Sequence, residues 1–369
     1  MRVVIRTDSS SRVGTGHLMR CLALADRLKK KGATVFFICR ELPGNQIGLI
    51  VEKGYKVIIL PFDRRFRPDD SKRDIYLRWL GSTIDNDVRQ TLKVLPEGKR
   101  IDWLVVDHYA LDESWEKRMR PYVGRIMVID DLADRQHDCD LLLDQNLYPD
   151  QNTRYDNLVP DNCEKLLGVK YALFREEFLD LAGKLPEKNG RIKKLLVFFG
   201  GVDGTNETGK TVKALKQLNK PDLEVDIIIG AACPHQEDIR QATVDLPGVT
   251  LHGRVANMAE MLAGADLAIG AGGMTTWERC FMGLPSMVII LAENQEAMTE
   301  TADERGVLWN LGWHHQVTSE DIAGTLDWLM RNPEMVREVG LRARQLFEND
   351  DGKSTDVVDY LTVGKLVEA

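Results

Sequence analysis

A histidine follows two spaced glycines near the start of the chain, in the segment RTDSSSRVGTGH that ends at His17. The glycines, Gly14 and Gly16, let the backbone come close to a ligand. The N-terminus of the helix predicted after them presents free N–H groups and partial positive charge, which suit a phosphate. Histidine is the side chain in this segment that can move protons near neutral pH. The segment therefore predicts chemistry on a phosphorylated substrate, with His17 as the catalytic residue.

Two other polar side chains are alternative bases at the same site. Asp8 follows the first predicted strand, and His108 follows the predicted strand Trp103–Val106. Both are therefore expected at strand ends that face the same ligand. We retain Asp8, His108 and the neighbouring Tyr109 as predicted substrate-binding residues.

A second glycine loop, GGVDGTN, follows the predicted strand Leu195–Phe199 and precedes a helix. It repeats the order of strand, glycine loop and helix seen in the first segment. Its backbone N–H groups could stabilise a diphosphate, so we predict that Gly201, Asp203 and Asn206 bind the nucleotide. Taken alone, such a turn also occurs for purely structural reasons.

A third glycine element, AGGMTTWE, runs from Ala271 to Glu278. A strand ends in its small residues, a helix is expected to begin near Thr275, and Glu278 lies about one turn into that helix. A carboxylate there can accept both hydroxyl groups of a ribose, although an exposed charge on a helix surface is the alternative. We predict that Gly272, Gly273, Thr275 and Glu278 bind the nucleotide.

The elements that must position these residues alternate between strand and helix along the chain. Continuous apolar runs separated by helical patterns are typical of parallel sheets covered on both faces. The alternation stops at residues 183–194, which are rich in Gly, Pro, Asn and Lys, and then restarts. We therefore predict an α/β protein with two Rossmann-like doubly wound domains, residues 1–183 and 195–350, and a ligand cleft between the carboxyl ends of their strands. Residues 351–369 are expected to form a C-terminal helix that packs back on the first domain.

Some stretches carry more specific expectations. The pattern predicts one helix over residues 75–95 and another from residue 319 through residue 347. The segment Asp63–Arg73 is dense in both signs of charge and is expected to be a solvated loop. His314 and His315 are adjacent in a polar stretch, where solvated loop histidines are expected rather than metal ligands.

The composition limits the class of protein. A chain of 369 residues suits two domains, and 43% hydrophobic with 29% charged residues is ordinary for a globular protein. A formal net charge of −8 argues against nucleic-acid or anionic-membrane binding. No apolar run approaches the roughly 20 residues that a membrane span needs. Six widely spaced cysteines and the absence of a signal-peptide pattern predict a cytoplasmic protein without a structural zinc site.

Beyond these local patterns, the chain resembles known families. The element from Gly272 to Pro285 is similar to the nucleotide-sugar signature of GT-B fold enzymes. The first glycine segment, the motifs VDHY, DD, CDLLLDQN and YALFREEF, and the NQE motif at residues 294–296 together resemble the PseG family. Members of that family are UDP-2,4-diacetamido-2,4,6-trideoxy-β-L-altropyranose hydrolases of pseudaminic acid biosynthesis. A sister group assigned to spore-coat polysaccharide synthesis shares these motifs.

The resemblance implies a GT-B fold and a function. It implies that His17 is catalytic, that Glu278 contacts the nucleotide, and that Asn294, with the neighbouring Gln295, lies at the sugar. It implies no metal and no other cofactor. The implied activity is hydrolysis of the UDP-linked diacetamido-trideoxy-hexose to free sugar and UDP, with His17 activating water and inversion at the anomeric carbon. The UDP-sugar and UDP would be the partners of a monomer.

Other functions remain open on the sequence. A GT-B glycosyltransferase would use the same UDP site with a sugar or lipid acceptor in place of water. A non-catalytic nucleotide-sugar-binding protein would bind UDP without turnover. A dinucleotide-dependent dehydrogenase is disfavoured, because the first segment has Met19 where Gly-x-Gly-x-x-Gly has its third glycine.

Overall fold

The chain divides into two compact units in the computed structural model, which describes residues 1–66, 72–95, 100–185, 188–253, 255, 257–348 and 356–363. The N-terminal unit comprises residues 1–146 and 150–176 together with the described residues after 350. The C-terminal unit comprises residues 147–149 and the described residues between 177 and 350. Residues 67–71 of the charged segment Asp63–Arg73 lie outside the described residues, as do residues 351–355 and 364–369 of the predicted C-terminal helix.

In its described part, the N-terminal unit has a parallel sheet of seven strands in the order β3-β2-β1-β4-β5-β6-β7. The strands are β1 Arg2–Thr7, β2 Thr34–Arg40, β3 Lys56–Leu60, β4 Ile101–Asp107, β5 Val123–Ile129, β6 Leu141–Asp144 and β7 Glu164–Leu167. The strand order reverses between β1 and β4, where Thr7 is in register with Asp107. In open α/β sheets, ligands bind at such a reversal, outside the carboxyl ends of the strands.

Helices connect these strands. They are α1 Gly16–Lys30, α2 Ile47–Glu52, α3 Lys72–Leu80, α4 Ile84–Val94, α5 Glu113–Met119 and α6 Glu176–Ala182, the last of which crosses the boundary between the units. The prediction of one helix over residues 75–95 is wrong, because the structure has α3 and α4 there. Gly81 takes a φ of +65° between them. The Thr83 side chain then caps α4 by accepting a hydrogen bond from the Asn86 amide.

Apolar side chains cover both faces of this sheet. On β1, Val3 and Ile5 belong to one core and Val4 to the other, as the alternation of side chains along a strand requires. Helix α1 contributes Leu28 to the first core, and α5 contributes Trp115 to the second. Strands β1 and β4 are thus packed from both sides, which holds the residues at their carboxyl ends in place.

The described part of the C-terminal unit has a parallel sheet of six strands in the order β10-β9-β8-β11-β12-β13. The strands are β8 Lys194–Phe198, β9 Glu224–Ile228, β10 Val249–His252, β11 Leu267–Ala271, β12 Ser286–Ile290 and β13 Trp309–Trp313. The order reverses between β8 and β11, which places the second and third glycine elements at this reversal. The sequence pattern does not reveal β7 and β13, which are short edge strands with the polar or glycine-containing segments EKLL and WNLGW.

The helices of this unit follow the same alternation. They are α7 Glu207–Leu218, α8 Gln236–Thr243, α9 Met258–Gly264, α10 Thr275–Phe281, α11 Glu296–Glu304, α12 Ser319–Arg331 and α13 Pro333–Gln345. The prediction of one helix from residue 319 through residue 347 is wrong, because Pro333 divides it. Proline lacks the N–H group that a helix interior needs, so Pro333 stands at the first position of α13.

A helix near the C-terminus, α14 Val357–Val363, is part of the N-terminal unit. Val357 and Leu361 are buried in the same core as α1. The Trp103 indole N–H donates a hydrogen bond to the Leu361 carbonyl at 2.9 Å, and Arg27 forms an ion pair with Asp356. The chain therefore returns to its first unit after completing the second.

Candidate functional site

His17 and Asp107 meet where the strand order of the N-terminal unit reverses. His17 is the second residue of α1, and Asp107 is the last residue of β4. The Nδ1 atom of His17 lies 2.6 Å from Oδ1 of Asp107. The histidine side chain is 10% exposed, whereas the aspartate side chain is fully buried. Solvent or a ligand can therefore reach the imidazole but not the carboxylate behind it.

Arg20 holds the carboxylate of Asp107 from a second direction. Its Nε donates to Oδ2 and its Nη2 to Oδ1, both at 2.7 Å, and its Nη1 donates to Asp131 at 2.9 Å. Burial opposes ionisation of Asp107, but Arg20 and His17 outweigh burial and lower the pKa of Asp107 below its usual range. Asp107 is therefore ionised at neutral pH.

The ionised carboxylate decides the tautomer of His17. A contact of 2.6 Å between a ring nitrogen and a carboxylate oxygen requires a hydrogen atom between them, so Nδ1 carries the proton. Arg20 Nη2 also lies 3.1 Å from Nδ1, but a nitrogen that donates to Asp107 cannot accept from Arg20. In the neutral ring the lone pair is then on Nε2, as a general base needs.

An aromatic cluster packs against the imidazole. The rings of Tyr109 and His17 meet edge to face, with centroids 4.6 Å apart. Tyr76 and Trp79 of α3 pack on Tyr109 with centroid distances of 5.4 and 5.6 Å. Burial, and next the charge of Asp131, raise the pKa of Tyr109 well above its usual range, so it remains a neutral phenol. The structure thus brings Tyr109 and His17 together.

The two alternative bases, Asp8 and His108, are more deeply buried than His17, at 1% and 4% exposure. Asp8 Oδ1 lies 2.8 Å from Arg6 Nη1 and accepts the backbone amide of Arg40 at 2.6 Å. His108 Nδ1 accepts the Ala110 amide at 3.0 Å, and its Nε2 lies 3.6 Å from Asp8 Oδ2. Both side chains therefore serve contacts within the fold, and substrate binding by either stays a prediction. His17 is the better-placed base of the three.

His108→Asn should make the stability of the protein less sensitive to acid. Burial lowers the pKa of His108 from 6.5 to about 4. Below pH 6.5 the unfolded chain therefore takes up a proton that the folded state refuses, and the free energy of unfolding falls as the pH is lowered toward 4. We expect the variant, whose amide oxygen can still accept the Ala110 N–H, to lose about 2 kcal/mol less than the parent between pH 7 and pH 5. Urea unfolding at both pH values measures this, and identical pH dependence would contradict a neutral buried His108.

In the C-terminal unit, the loop after β8 leads into α7 through two capping side chains. The Asp203 carboxylate accepts the amides of Glu207 at 2.9 Å and Thr208 at 3.0 Å. Asn206 Oδ1 accepts the amide of Gly209 at 3.1 Å. Asp203 and Asn206 thus stabilise the first turn of α7, and their contact with a nucleotide stays a prediction.

Three backbone amide groups of the same loop are available to donate hydrogen bonds to a ligand. Gly201, Gly204 and Thr205 donate to no acceptor within the described residues. A Cβ atom on Gly230, after β9, would lie 2.2 Å from the Gly201 carbonyl oxygen, so only glycine lets the two loops approach so closely. The backbone amides, rather than the side chains of this loop, are the groups that can bind a diphosphate.

The loop after β11 contains Gly272 and Gly273 and contacts Gln295. A Cβ atom on Gly272 would lie 2.4 Å from Thr299 Oγ1 and 3.3 Å from Gln295 Cβ, so a side chain at this position would clash. Gln295 Oε1 accepts the Leu291 amide at 3.0 Å, which fixes the side chain beside both glycines. The structure therefore brings Gly272, Gly273 and Gln295 together.

A buried cation lies beside the same loop. Arg279 is 2% exposed, and its Nη2 donates to the Ala271 carbonyl at 2.9 Å and to Thr276 Oγ1 at 3.0 Å. No carboxylate of the described residues forms an ion pair with it within 4.0 Å. Burial lowers the pKa of Arg279 to about 10, which still leaves it charged at neutral pH. This positive charge favours an anion at the Gly272–Gly273 turn.

Three further residues that the sequence predicts at the site follow this turn along the chain. Thr275 is the first residue of α10, and Glu278 follows one turn later. Glu278 is 9% exposed, so it is not the exposed helix charge that the sequence left as an alternative. Asn294 is exposed in the short turn between β12 and α11.

The sequence pattern does not assign a role in the site to Arg20 or Asp107. Arg20 lies three positions after His17 and therefore on the same face of α1. Asp107 ends a buried apolar strand. These positions are the available signals, but the pairing of β4 with β1 that puts Asp107 behind His17 is decided by tertiary structure.

Comparisons with known proteins bear on both units. Residues 195–334 match the glycosyltransferase family 28 C-terminal domain. The chain is 28% identical over 307 residues to the UDP-2,4-diacetamido-2,4,6-trideoxy-β-L-altropyranose hydrolase of Campylobacter jejuni, covering 83% of this chain and 97% of the relative. It is 23% identical over 334 residues to the spore coat polysaccharide biosynthesis protein SpsG of Bacillus subtilis, covering 89% of each. An uncharacterized protein of Methanocaldococcus jannaschii is 23% identical over 303 residues, and the chain spans 56% of its length.

Solved structures are similar over nearly the whole chain. Medicago truncatula UGT71G1 in complex with UDP-glucose has a TM-score of 0.64 at 15% identity, covering 98% of this chain and 97% of that one. Acinetobacter baumannii MurG has a TM-score of 0.57 at 17% identity, covering 93% and 94%. With two doubly wound parallel sheets, these similarities show a GT-B fold. The predicted fold class is confirmed.

No helix of the described residues is both long and apolar enough to cross a membrane. Within those residues, no three or more His, Cys, Asp or Glu side chains are grouped in a way that could hold a metal ion. All six cysteines are buried, and none of them forms a disulfide bond.

Proposed function

We propose that the chain hydrolyses a UDP-linked sugar to free sugar and UDP. The observation that carries this proposal is the pair of His17 and Asp107, which presents an accessible imidazole as a base. The substrate we propose is UDP-2,4-diacetamido-2,4,6-trideoxy-β-L-altropyranose, the compound in the name of the Campylobacter jejuni relative. That relative aligns along most of the chain, whereas the glycosyltransferase domain matches residues 195–334 alone. This difference supports water, rather than a second substrate, as the acceptor.

The N-terminal unit supplies the proton chemistry in this proposal. Nε2 of His17 removes a proton from water as the water oxygen bonds to the anomeric carbon. The bond from that carbon to the β-phosphate oxygen breaks, and UDP leaves with its electron pair. The Nδ1–H group of the resulting imidazolium still donates to Asp107, whose negative charge stabilises it. Direct attack opposite the leaving group inverts the anomeric carbon.

The C-terminal unit binds the nucleotide in this proposal. The free amides of the loop after β8 and the turn at Gly272 and Gly273 donate to the diphosphate. The buried charge of Arg279 stabilises the negative charge that grows as UDP leaves, because a preorganised positive group needs no rearrangement during the reaction. Glu278 accepts hydrogen bonds from the ribose hydroxyls.

Glycosyl transfer is the second candidate function. The match to the glycosyltransferase family 28 C-terminal domain supports it, because that match covers the proposed nucleotide-binding loops. A transferase would use the same imidazole to deprotonate the hydroxyl group of an acceptor. The two reactions differ in whether UDP forms without an acceptor.

The test is incubation of the purified chain with a panel of UDP-sugars that includes the diacetamido-trideoxy-altrose donor. Phosphorus NMR follows UDP, and proton NMR identifies the first anomer of the released sugar. We expect UDP and the inverted free sugar to appear together without any acceptor. Retention at the anomeric carbon would exclude single displacement by water, and UDP that forms only with an added acceptor would favour transfer.

Glu278→Gln should weaken UDP binding by tenfold or more, since hydrogen bonds to a charged group contribute about 1.5–3 kcal/mol. Isothermal titration calorimetry with UDP measures the change. Glu237→Gln is the matched control. Glu237 is exposed in the first turn of α8, and its substitution removes the same charge. Unchanged UDP affinity in the Glu278 variant would exclude its role at the ribose.

A further inference from the structure

Arg20 joins two carboxylates that follow neighbouring strands of the N-terminal unit. Strands β4 and β5 are parallel neighbours, with Val106 in register with Val128. Asp107 ends β4, and Asp131 lies just beyond the end of β5. Arg20 donates to both oxygens of Asp107 at 2.7 Å and to Asp131 at 2.9 Å. One guanidinium group is thus shared between two acidic side chains at the carboxyl edge of the sheet.

The charges around His17 do not cancel. Among the described residues, the ionisable groups that face the His17 ring or the carboxylate behind it, or that join them through the guanidinium group, are Asp107, Arg20, Cys21, Tyr109, His108 and Asp131. Burial raises the pKa values of Cys21 and Tyr109 well above their usual ranges and lowers the pKa of His108 to about 4, so all three are neutral near pH 7. One guanidinium against two carboxylates leaves one negative charge in excess.

Asp131 is held beside Arg20 by a second donor. The Tyr109 hydroxyl group hydrogen-bonds to it, and the Asp131 side chain is 11% exposed. The preceding residue, Asp130, is fully buried and forms its ion pair with Arg135 at 2.8 Å. Of these two adjacent carboxylates, Asp131 is therefore the one that offsets the charge of Arg20.

The second carboxylate decides how much charge Asp107 offers to His17. Oδ1 of Asp107 accepts both the Nδ1–H group of His17 and Nη2 of Arg20. Without Asp131, one buried carboxylate would have to offset a guanidinium and an imidazolium together, and an unbalanced buried charge is costly. With Asp131 beside Arg20, one negative charge remains for the imidazolium that forms when His17 accepts a proton.

We propose that Asp131 is a positioning residue for the His17 base and acts by offsetting the charge of Arg20. Asp107 can then stabilise the imidazolium. The inference rests on the proposed function and adds to it a residue that acts through Arg20 rather than by touching the substrate. It applies to hydrolysis and to glycosyl transfer alike, because both reactions would form the same imidazolium. The competing role for Asp131 is a direct hydrogen bond to the sugar, and the two roles give different results.

The first test measures UDP release from the substrate identified in the UDP-sugar panel. Asp131→Asn should lower kcat about tenfold or more, as expected for loss of a hydrogen bond to a charged group. Asp134→Asn is the matched control. It removes the same charge from an exposed side chain of the same loop and should leave kcat unchanged. Combining Asp131→Asn with Arg20→Gln removes one charge of each sign, so it should recover at least part of the lost kcat. A role of Asp131 at the sugar would instead raise KM, and the change at Arg20 could not repair it.

The second test measures the His17 ring itself and needs no turnover. Proton NMR follows the ring against pH, and the His17→Ala variant identifies its signals by their absence. An imidazolium with less compensating charge forms less readily, so the midpoint of ring protonation should lie about one pH unit lower in Asp131→Asn than in the parent, the equivalent of tenfold. The midpoint should return toward that of the parent in the double variant, and it should stay there in Asp131→Glu, which retains the charge.

The proposal is overturned if the His17 midpoint in Asp131→Asn equals that in the Asp134 control, if an active enzyme loses no kcat in Asp131→Asn, or if the double variant recovers neither quantity. If circular dichroism shows that the double variant is unfolded, Asp131→Asn is compared with Asp131→Glu, and equal midpoints there also overturn the proposal. Failure of the proposed function looks different. In that case no UDP forms with or without an acceptor, while the midpoint of His17 still depends on the charge of Asp131.

Discussion

Replacing His17 with Ala should lower kcat by about 10²–10⁴-fold, the usual contribution of a positioned general base. The variant keeps the loop and the nucleotide-binding unit but removes the ring nitrogen that we propose accepts a proton from water. The rate of UDP release from the substrate identified in the UDP-sugar panel measures the effect. Turnover near that of the parent would exclude His17 as the base.

Two controls separate this effect from damage to the fold. His315→Ala removes an exposed histidine of the C-terminal unit and should leave kcat unchanged. UDP affinity of the His17 variant should also stay the same, because we assign nucleotide binding to the other unit. A variant that lost UDP binding together with turnover would indicate structural damage rather than loss of a base.

Replacing Asp107 with Asn should lower kcat by about 10²-fold or more, although Asp107 is buried and does not reach the substrate in this proposal. A carboxamide can donate its N–H to Nδ1 of His17, which moves the ring hydrogen to Nε2 and removes the lone pair that would accept the proton. The carboxylate that stabilises the imidazolium is lost as well. Asp107 is therefore a positioning residue, and turnover measured beside UDP affinity tests it.

A double variant tells positioning from a general loss of stability. If Asp107 acts through His17, the His17→Ala and Asp107→Asn changes together should cost no more kcat than His17→Ala alone, because the second change then has no base left to misplace. Additive losses would mean that Asp107 acts independently, as a structural residue would. Because Arg20 also loses its bidentate partner, the thermal stability of each variant must be compared at the same pH.

The local pattern of the sequence predicts the type of fold and the loops that matter. Apolar runs alternating with helical patterns predict two doubly wound sheets, and the structure has them. The helix boundaries were less predictable where one residue decides them: Gly81 separates α3 from α4, and Pro333 begins α13. In both places the apolar periodicity continues across the break, so the hydrophobic pattern alone hides it.

The side chains of the predicted site differ in how far the sequence could assign them. Gly272 is predictable as a close approach, since glycine is the residue that tolerates one, and its neighbours Thr299 and Gln295 confirm the crowding. The sequence predicts Asp8 and Asp203 as polar residues near a ligand, and the structure places Asp8 in an ion pair with Arg6 and Asp203 at the start of a helix as its cap. A carboxylate after a strand looks the same in sequence whether it binds a ligand or the protein.

The sequence by itself determined the glycine loops, the helix that begins at the first of them and the histidine on that helix, because these depend on residues close together in the chain. Only the tertiary structure decided that Asp107, ninety positions beyond His17, holds its Nδ1–H, and that Arg20 holds Asp107 in turn. The physical reason is strand order. The packing of the whole sheet decides which strands are neighbours. The apolar periodicity of a single strand does not indicate which strand will pair with it.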